Sequence, residues 1–176
     1  MLSPASAISY CHGPRPIQTQ GVDWVITNPP FRLAAEFIDR GRSVARKGVA
    51  MLVRTSFLEG QDRCTNLFQR FPPAAVYQFS ERVGMFSGRC VRVGSIDWIA
   101  TAQKRLAKPE TKPITAATAT SYCWLVWRPK DTDTRMRWIA PCRATLERPG
   151  DYDDQREMIR ALGLPMPAEL DGRAVA

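Results

Sequence analysis

Val22-Asp23-Trp24-Val25-Ile26-Thr27-Asn28-Pro29-Pro30-Phe31 decides how the rest of this chain reads. Its first six residues form an apolar, β-branched run expected to be a buried strand, and the Asn-Pro-Pro triplet stops that strand abruptly. Two successive prolines fix φ and remove two backbone donors, while Asn28, preceding proline, is pushed to an extended conformation. The turn is therefore rigid, with free carbonyls pointing outward. From Phe31 to Lys47 the residues Ala34, Phe37, Ile38, Gly41, Val44 and Ala45 recur at three- and four-residue steps. That spacing predicts a helix with Arg32, Arg40, Arg42 and Arg46 on its wet face, ended by Gly48. Val49 to Val53 is a continuous apolar run and reads as a second strand covered on both faces. Gln61 to Phe71 predicts another helix through Cys64, Leu67, Phe68 and Phe71, stopped by Pro72-Pro73 before a third strand over Ala75 to Phe79. Alternation of strand and helix at this spacing implies an α/β fold with a mainly parallel sheet.

Further along, Tyr122 to Trp127 regains strand character and is expected to return beside Ala75 to Phe79 as the second limb of an interrupted hairpin. Trp124 and Trp127 do not fall on one face of it and read as core or edge residues. Residues 100–120 hold little apolar content and read as a mobile insertion. Residues 136–139 suggest a short strand, residues 153–162 a surface helix, and residues 1–20 and the end from Gly163 irregular chain.

A length of 176 residues fits one domain, and 44% apolar against 24% charged residues excludes a disordered chain. No stretch approaches the roughly 20 apolar residues of a membrane span. A net charge of +8 favours a polyanionic partner. The five cysteines Cys11, Cys64, Cys90, Cys123 and Cys142 form no CxxC pair, and His12 is the single histidine. Zinc binding and Ser-His or Cys-His catalysis are therefore not expected, and a reducing cytoplasm is. Residues 1–18 lack the apolar core of a secretory signal.

In α/β sheets ligands bind beyond the carboxyl ends of strands, where Asn28 to Phe31 falls in this pattern. An amino group conjugated to a ring needs two acceptors to hold both N–H hydrogens and free the nitrogen lone pair. Asn28 Oδ1 and the Pro29 carbonyl are the natural acceptors, Pro30 locks the corner, and Phe31 would stack on the ring at about 1–3 kcal/mol. Arg82, Phe86 and Arg89 lie in the loop after the third strand and carry a second expectation: phosphate contacts with a wedge or stacking residue near an extruded base. Met85 reads as packing.

The run DWVITNPPF resembles the catalytic motif of S-adenosylmethionine-dependent DNA adenine N6-methyltransferases. The helix from Phe31, the segment Val53 to Gly60, Phe71-Pro72-Pro73, Ser80-Glu81-Arg82 and Ala119 to Trp127 are similar to successive pieces of phage-type members, over roughly residues 22–128. The resemblance implies methyl transfer from S-adenosylmethionine to adenine in DNA by Asn28, Pro29, Pro30 and Phe31. It implies a partial Rossmann-like class I methyltransferase fold, a mainly parallel sheet with a C-terminal antiparallel hairpin. Residues 22–128 would be the catalytic half, after an irregular segment 1–21 and before a basic, then acidic, extension 129–176.

Members of this order carry a strand, a glycine-rich loop and an acidic residue for the cofactor upstream of the motif, and no such unit is readable among the 27 residues before Asn28. The chain would supply the fourth to seventh strands of a seven-stranded sheet, leaving an open edge and an uncovered apolar face for a second chain or a homodimer partner. A truncated product, a subunit completed by another chain, and a degenerate protein are the three expectations. Two other functions stay open: a nucleic-acid-binding remnant without catalysis, and a methyltransferase of another amine such as protein glutamine.

Overall fold

A computed structural model describes residues 21–171. The segment 1–20, with Cys11 and His12, lies outside the described residues. Strands β1 (Val22–Thr27), β2 (Ala45–Arg54), β3 (Ala75–Phe79), β4 (Tyr122–Trp127) and β5 (Arg135–Ile139) form one sheet in the order β1-β2-β4-β3-β5. β1 and β2 are parallel, as are β3 and β5, whereas β4 is antiparallel to both β2 and β3. The expected α/β class and the β3–β4 hairpin pairing are present. The mainly parallel sheet is corrected to a mixed one, because the returning limb inserts between β2 and β3 and makes two of the four pairings antiparallel.

A 3-10 turn (Phe31–Leu33) leads into α1 (Ala34–Val44), which buries Ala34, Ile38 and Gly41 against the sheet. These positions sit four and three residues apart, so one stripe faces inward. Complete burial of Ile38 contributes about 1.5–3 kcal/mol. α1 ends at Val44 and β2 starts at Ala45, so Gly48 is an interior strand residue and not the helix stop. A Cβ on Gly48 would run into the Trp24 indole and come within 2.7 Å of the Trp127 carbonyl. The glycine is therefore there to let an indole lie on the backbone. The second expected helix is α2 (Gln61–Arg63), continued by a π-helical turn (Cys64–Phe68) that buries Leu67.

Register assigns the two faces of the sheet. Val25, Val49, Met51, Val53, Cys123, Leu125, Trp127 and Val76 form the core beneath α1 and the π-helical turn. Trp127 also donates its indole N–H to the Phe71 carbonyl at 2.9 Å. Trp24, Ile26, Leu52, Trp124 and Val126 point to the other face. There Trp24 is 39% and Ile26 65% exposed, which corrects the expectation of a buried first strand. β1 is an edge strand, paired only with β2 among the described residues.

The expected irregular insertion over residues 100–120 is corrected for its first part, while residues 108–120 hold no helix or strand. Trp98–Ala107 form α3, started by Asp97, whose side chain accepts from the Ala100 N–H. The helix was hidden because its inward residues, Ile99, Thr101 and Ala102, are few and small. Short α4 (Arg143–Leu146) follows β5, and α5 (Gln155–Ala161) packs Ile159 against Ile99 and Ala102 in a second, smaller core. Leu164, Met166 and Leu170 join that core, and Arg105 grips Glu169 through two hydrogen bonds of 3.0 and 2.8 Å. The expectation of loose chain after Gly163 is corrected on that account over residues 163–171. Among the described residues no helix is long and apolar enough to cross a membrane.

Candidate functional site

β1 ends at Thr27, paired with Met51 of β2, so the Asn28 turn projects from the carboxyl ends of two parallel strands. Asn28 and Pro30 are exposed, Pro29 is buried and Phe31 is half-buried. Leu33 N–H donates to the Pro30 carbonyl at 2.8 Å, which starts the 3-10 turn. No hydrogen bond among the described residues takes up the Asn28 carboxamide or the Pro29 carbonyl. The bonding capacity of both acceptors is thus unspent among the described residues, although Pro29 itself is buried.

Phe31 sits in an unforeseen setting. The Arg54 guanidinium, at the end of β2, lies 4.6 Å from its ring centroid, and the Tyr122 ring is tilted against it at 5.9 Å. A shallow cavity of about 220 Å³ adjoins it, lined by Phe31, Arg32, Val53, Arg54, Ser56, Phe57 and Arg63. This is smaller than the roughly 300–1,000 Å³ that encloses a small ligand. Arg63 is fixed there, donating to the Phe57 carbonyl at 2.8 Å and to the Glu59 carbonyl. No spacing in the sequence announced that the end of β2 and the start of β4 bring Arg54 and Tyr122 to Phe31.

The residues lining this cavity do not fit S-adenosylmethionine. Three guanidiniums surround the space and no carboxylate does, an arrangement that repels the cofactor's cationic sulfonium and leaves its ribose hydroxyls without an acidic acceptor. Behind the turn, Thr55 Oγ1 donates to Gln78 Oε1 at 3.2 Å, and Gln78 Nε2 donates to the carbonyls of Phe79 and Tyr122. The buried Cys123 thiol beside them is pushed up to about 11 by desolvation, so it stays protonated and is no nucleophile at neutral pH.

Arg82, Phe86 and Arg89 are not brought to the turn as a group of open contacts. Arg82 donates to the Ala119 carbonyl at 2.7 Å and to Ser121 Oγ at 3.2 Å, tying the loop to the segment that leads into β4. Arg89 is only 17% exposed, and its Nε and Nη2 both reach Asp97 Oδ2, at 2.9 and 2.8 Å. Phe86 is half-buried, with the Arg89 guanidinium 5.6 Å from its ring. The loop is held further by Glu81, whose carboxyl is kept below its ordinary range by the backbone N–H groups of Cys142 and Arg143.

Comparison with family models, with curated proteins and with solved structures yields no match to this chain.

Proposed function

We propose that this chain is the substrate side of an enzyme that transfers a methyl group from S-adenosylmethionine to the N6 amine of adenine in DNA. The observation that carries the reading is the exposed, unengaged carboxamide of Asn28 on a proline-locked corner at the carboxyl end of a strand. Asn28 Oδ1 and the Pro29 carbonyl accept the two amine hydrogens, which draws the nitrogen lone pair out of conjugation with the ring. Phe31 offers the stacking surface for an extruded adenine, and Arg54, already on that ring, supplies positive charge for an adjoining phosphate or for the base.

The order β1-β2-β4-β3 is compatible with the fourth to seventh strands of a Rossmann-like sheet, with β4 as the antiparallel return and β5 as an additional strand beside β3. Because the cavity beside the turn does not suit the cofactor, the reading assigns the cofactor to a second chain docked along the open edge of β1. The exposed Trp24 and Ile26 flank that edge. A second reading, nucleic-acid binding without methylation, draws on the same three arginines where a cofactor pocket would need an acid.

The test uses extracts of cells expressing the wild-type chain, Asn28→Ala, or neither, supplied with labelled S-adenosylmethionine and adenine-unmethylated DNA. Label in N6-methyladenine that depends on the wild-type chain and disappears with Asn28→Ala is expected. Label that enters glutamine of protein, or DNA adenine equally with Asn28→Ala, overturns the assignment. DNA binding with no chain-dependent label favours the second reading.

A further inference from the structure

On the side of α3 and α5 four arginines have an acid: Arg89 pairs with Asp97, Arg92 with Glu147, Arg105 with Glu169, and Arg143 lies 3.7 Å from Glu81. At the opposite end of the sheet from the Asn28 turn most of the cations have none. Two contiguous grooves open there, one of about 580 Å³ and one of about 320 Å³, sharing Arg128, Asp131 and Thr132. Together they are lined by seven cations, Arg42, Arg46, Arg70, Arg128, Lys130, Arg135 and Arg137, against two carboxylates, Asp131 and Asp133.

Topology makes this band. The starts of β2, β3 and β5 and the end of the antiparallel β4 all lie at one end of the sheet, so the segments carrying these residues converge. Arg46 is held by Asp23 at 2.9 Å, and Arg42 lies 3.9 Å from Asp39. Arg70, Arg128, Lys130, Arg135 and Arg137 have no carboxylate within 4.0 Å among the described residues, Asp131 and Asp133 included. Five exposed, unneutralised cations along connected grooves create a local positive potential that attracts an anion.

We infer that this band binds the phosphodiester backbone of nucleic acid, as a contact separate from the Asn28 turn. From β2 to β5 the sheet crosses three strand spacings, about 14 Å, which matches about four phosphates of one strand along a duplex axis. Of the three aromatics lining the grooves, Phe71 is covered by the Arg42 guanidinium, 3.6 Å from its centroid, with Arg70 at 5.4 Å on the same ring, Trp127 is buried, and Tyr77 is half-buried, so none presents an open ring face to bases. The contact is thus with backbone and independent of sequence. It lies about 17 Å from the turn along the strands of β1, so it anchors nucleic acid without touching the amine acceptors.

The experiment measures fluorescence anisotropy of a short labelled duplex across a salt series, for the full chain, Arg70→Glu/Arg128→Glu/Arg135→Glu, and Asn28→Ala. The three arginines are exposed and no hydrogen bond or ion pair holds their side chains, so the triple variant keeps the wild-type thermal unfolding curve. Loss of three phosphate contacts removes about 2.7 from the slope of log K against log salt. Between about 50 and 200 mM salt the wild-type complex then weakens about forty-fold more than the variant's. Asn28→Ala keeps the wild-type slope, which separates this site from the amine-binding reading. An unchanged slope in the triple variant, or no duplex binding by wild type at low salt, overturns the inference and leaves the band to an acidic protein.

Discussion

Removing the Arg89 guanidinium separates a structural from a nucleic-acid role for that residue. Asp97 is 3% exposed at its side chain, caps α3 through Oδ1 at 2.9 Å, and receives two hydrogen bonds from Arg89 on Oδ2. Arg89→Ala strips the carboxylate of the one cation paired with it among the described residues while leaving it buried, which costs about 3–5 kcal/mol. Arg89→Ala/Asp97→Ala removes the buried charge as well, and forfeits the helix cap at about 1 kcal/mol. The double variant is therefore expected to be more stable than Arg89→Ala alone, a non-additivity peculiar to a buried pair. Urea unfolding of the four proteins measures this, with m-values confirming that the same structure unfolds. Arg89→Ala within about 0.5 kcal/mol of wild type, accompanied by loss of duplex affinity, would refute the reasoning and return Arg89 to the nucleic-acid surface.

Gly48→Ala forces the Trp24 indole off the sheet and presses on the Trp127 carbonyl, and is expected to destabilise by about 1–3 kcal/mol in thermal or urea unfolding. In a Trp24→Ala background the penalty shrinks to the part due to the carbonyl, and an equal penalty in both backgrounds counts against the packing described. Cys123 gives a pH prediction of definite sign. Its folded value, about 11, lies above the ordinary 9.0, so its contribution is fully present below pH 9 and is lost as pH rises toward 11. The loss is about 2–3 kcal/mol relative to Cys123→Ala, read from urea midpoints at successive pH values. Parallel curves for the two proteins would contradict a desolvated thiol.

The α/β class, all five strands and the corner at Asn28 were legible because period, β-branching and proline punctuation are local signals. Gly48 misled because a glycine after a helical pattern reads as a stop, whereas here it clears room for an indole from the neighbouring strand. α3 escaped notice because its inward face is small and its start rests on one Asp97 carboxylate, a cap that only the fold makes conspicuous. The same carboxylate engages Arg89, which as a sequence residue looked available for phosphate. Arg54 and Tyr122 at Phe31, and the band of Arg70, Arg128 and Arg135, are assembled from segments far apart in the chain. Strand order brings them together, and no spacing in the sequence encodes that order.

Direct observation of the Asn28 carboxamide is the sharpest test of the amine-acceptor claim. In nitrogen-15 spectra of the labelled chain, with Asn28→Ala supplying the assignment, an unpaired oligonucleotide of adenines is expected to shift the Asn28 side-chain signals. The same oligonucleotide built from purine without the 6-amino group is expected to leave them in place. Equal shifts with both, or none with either, would contradict the account.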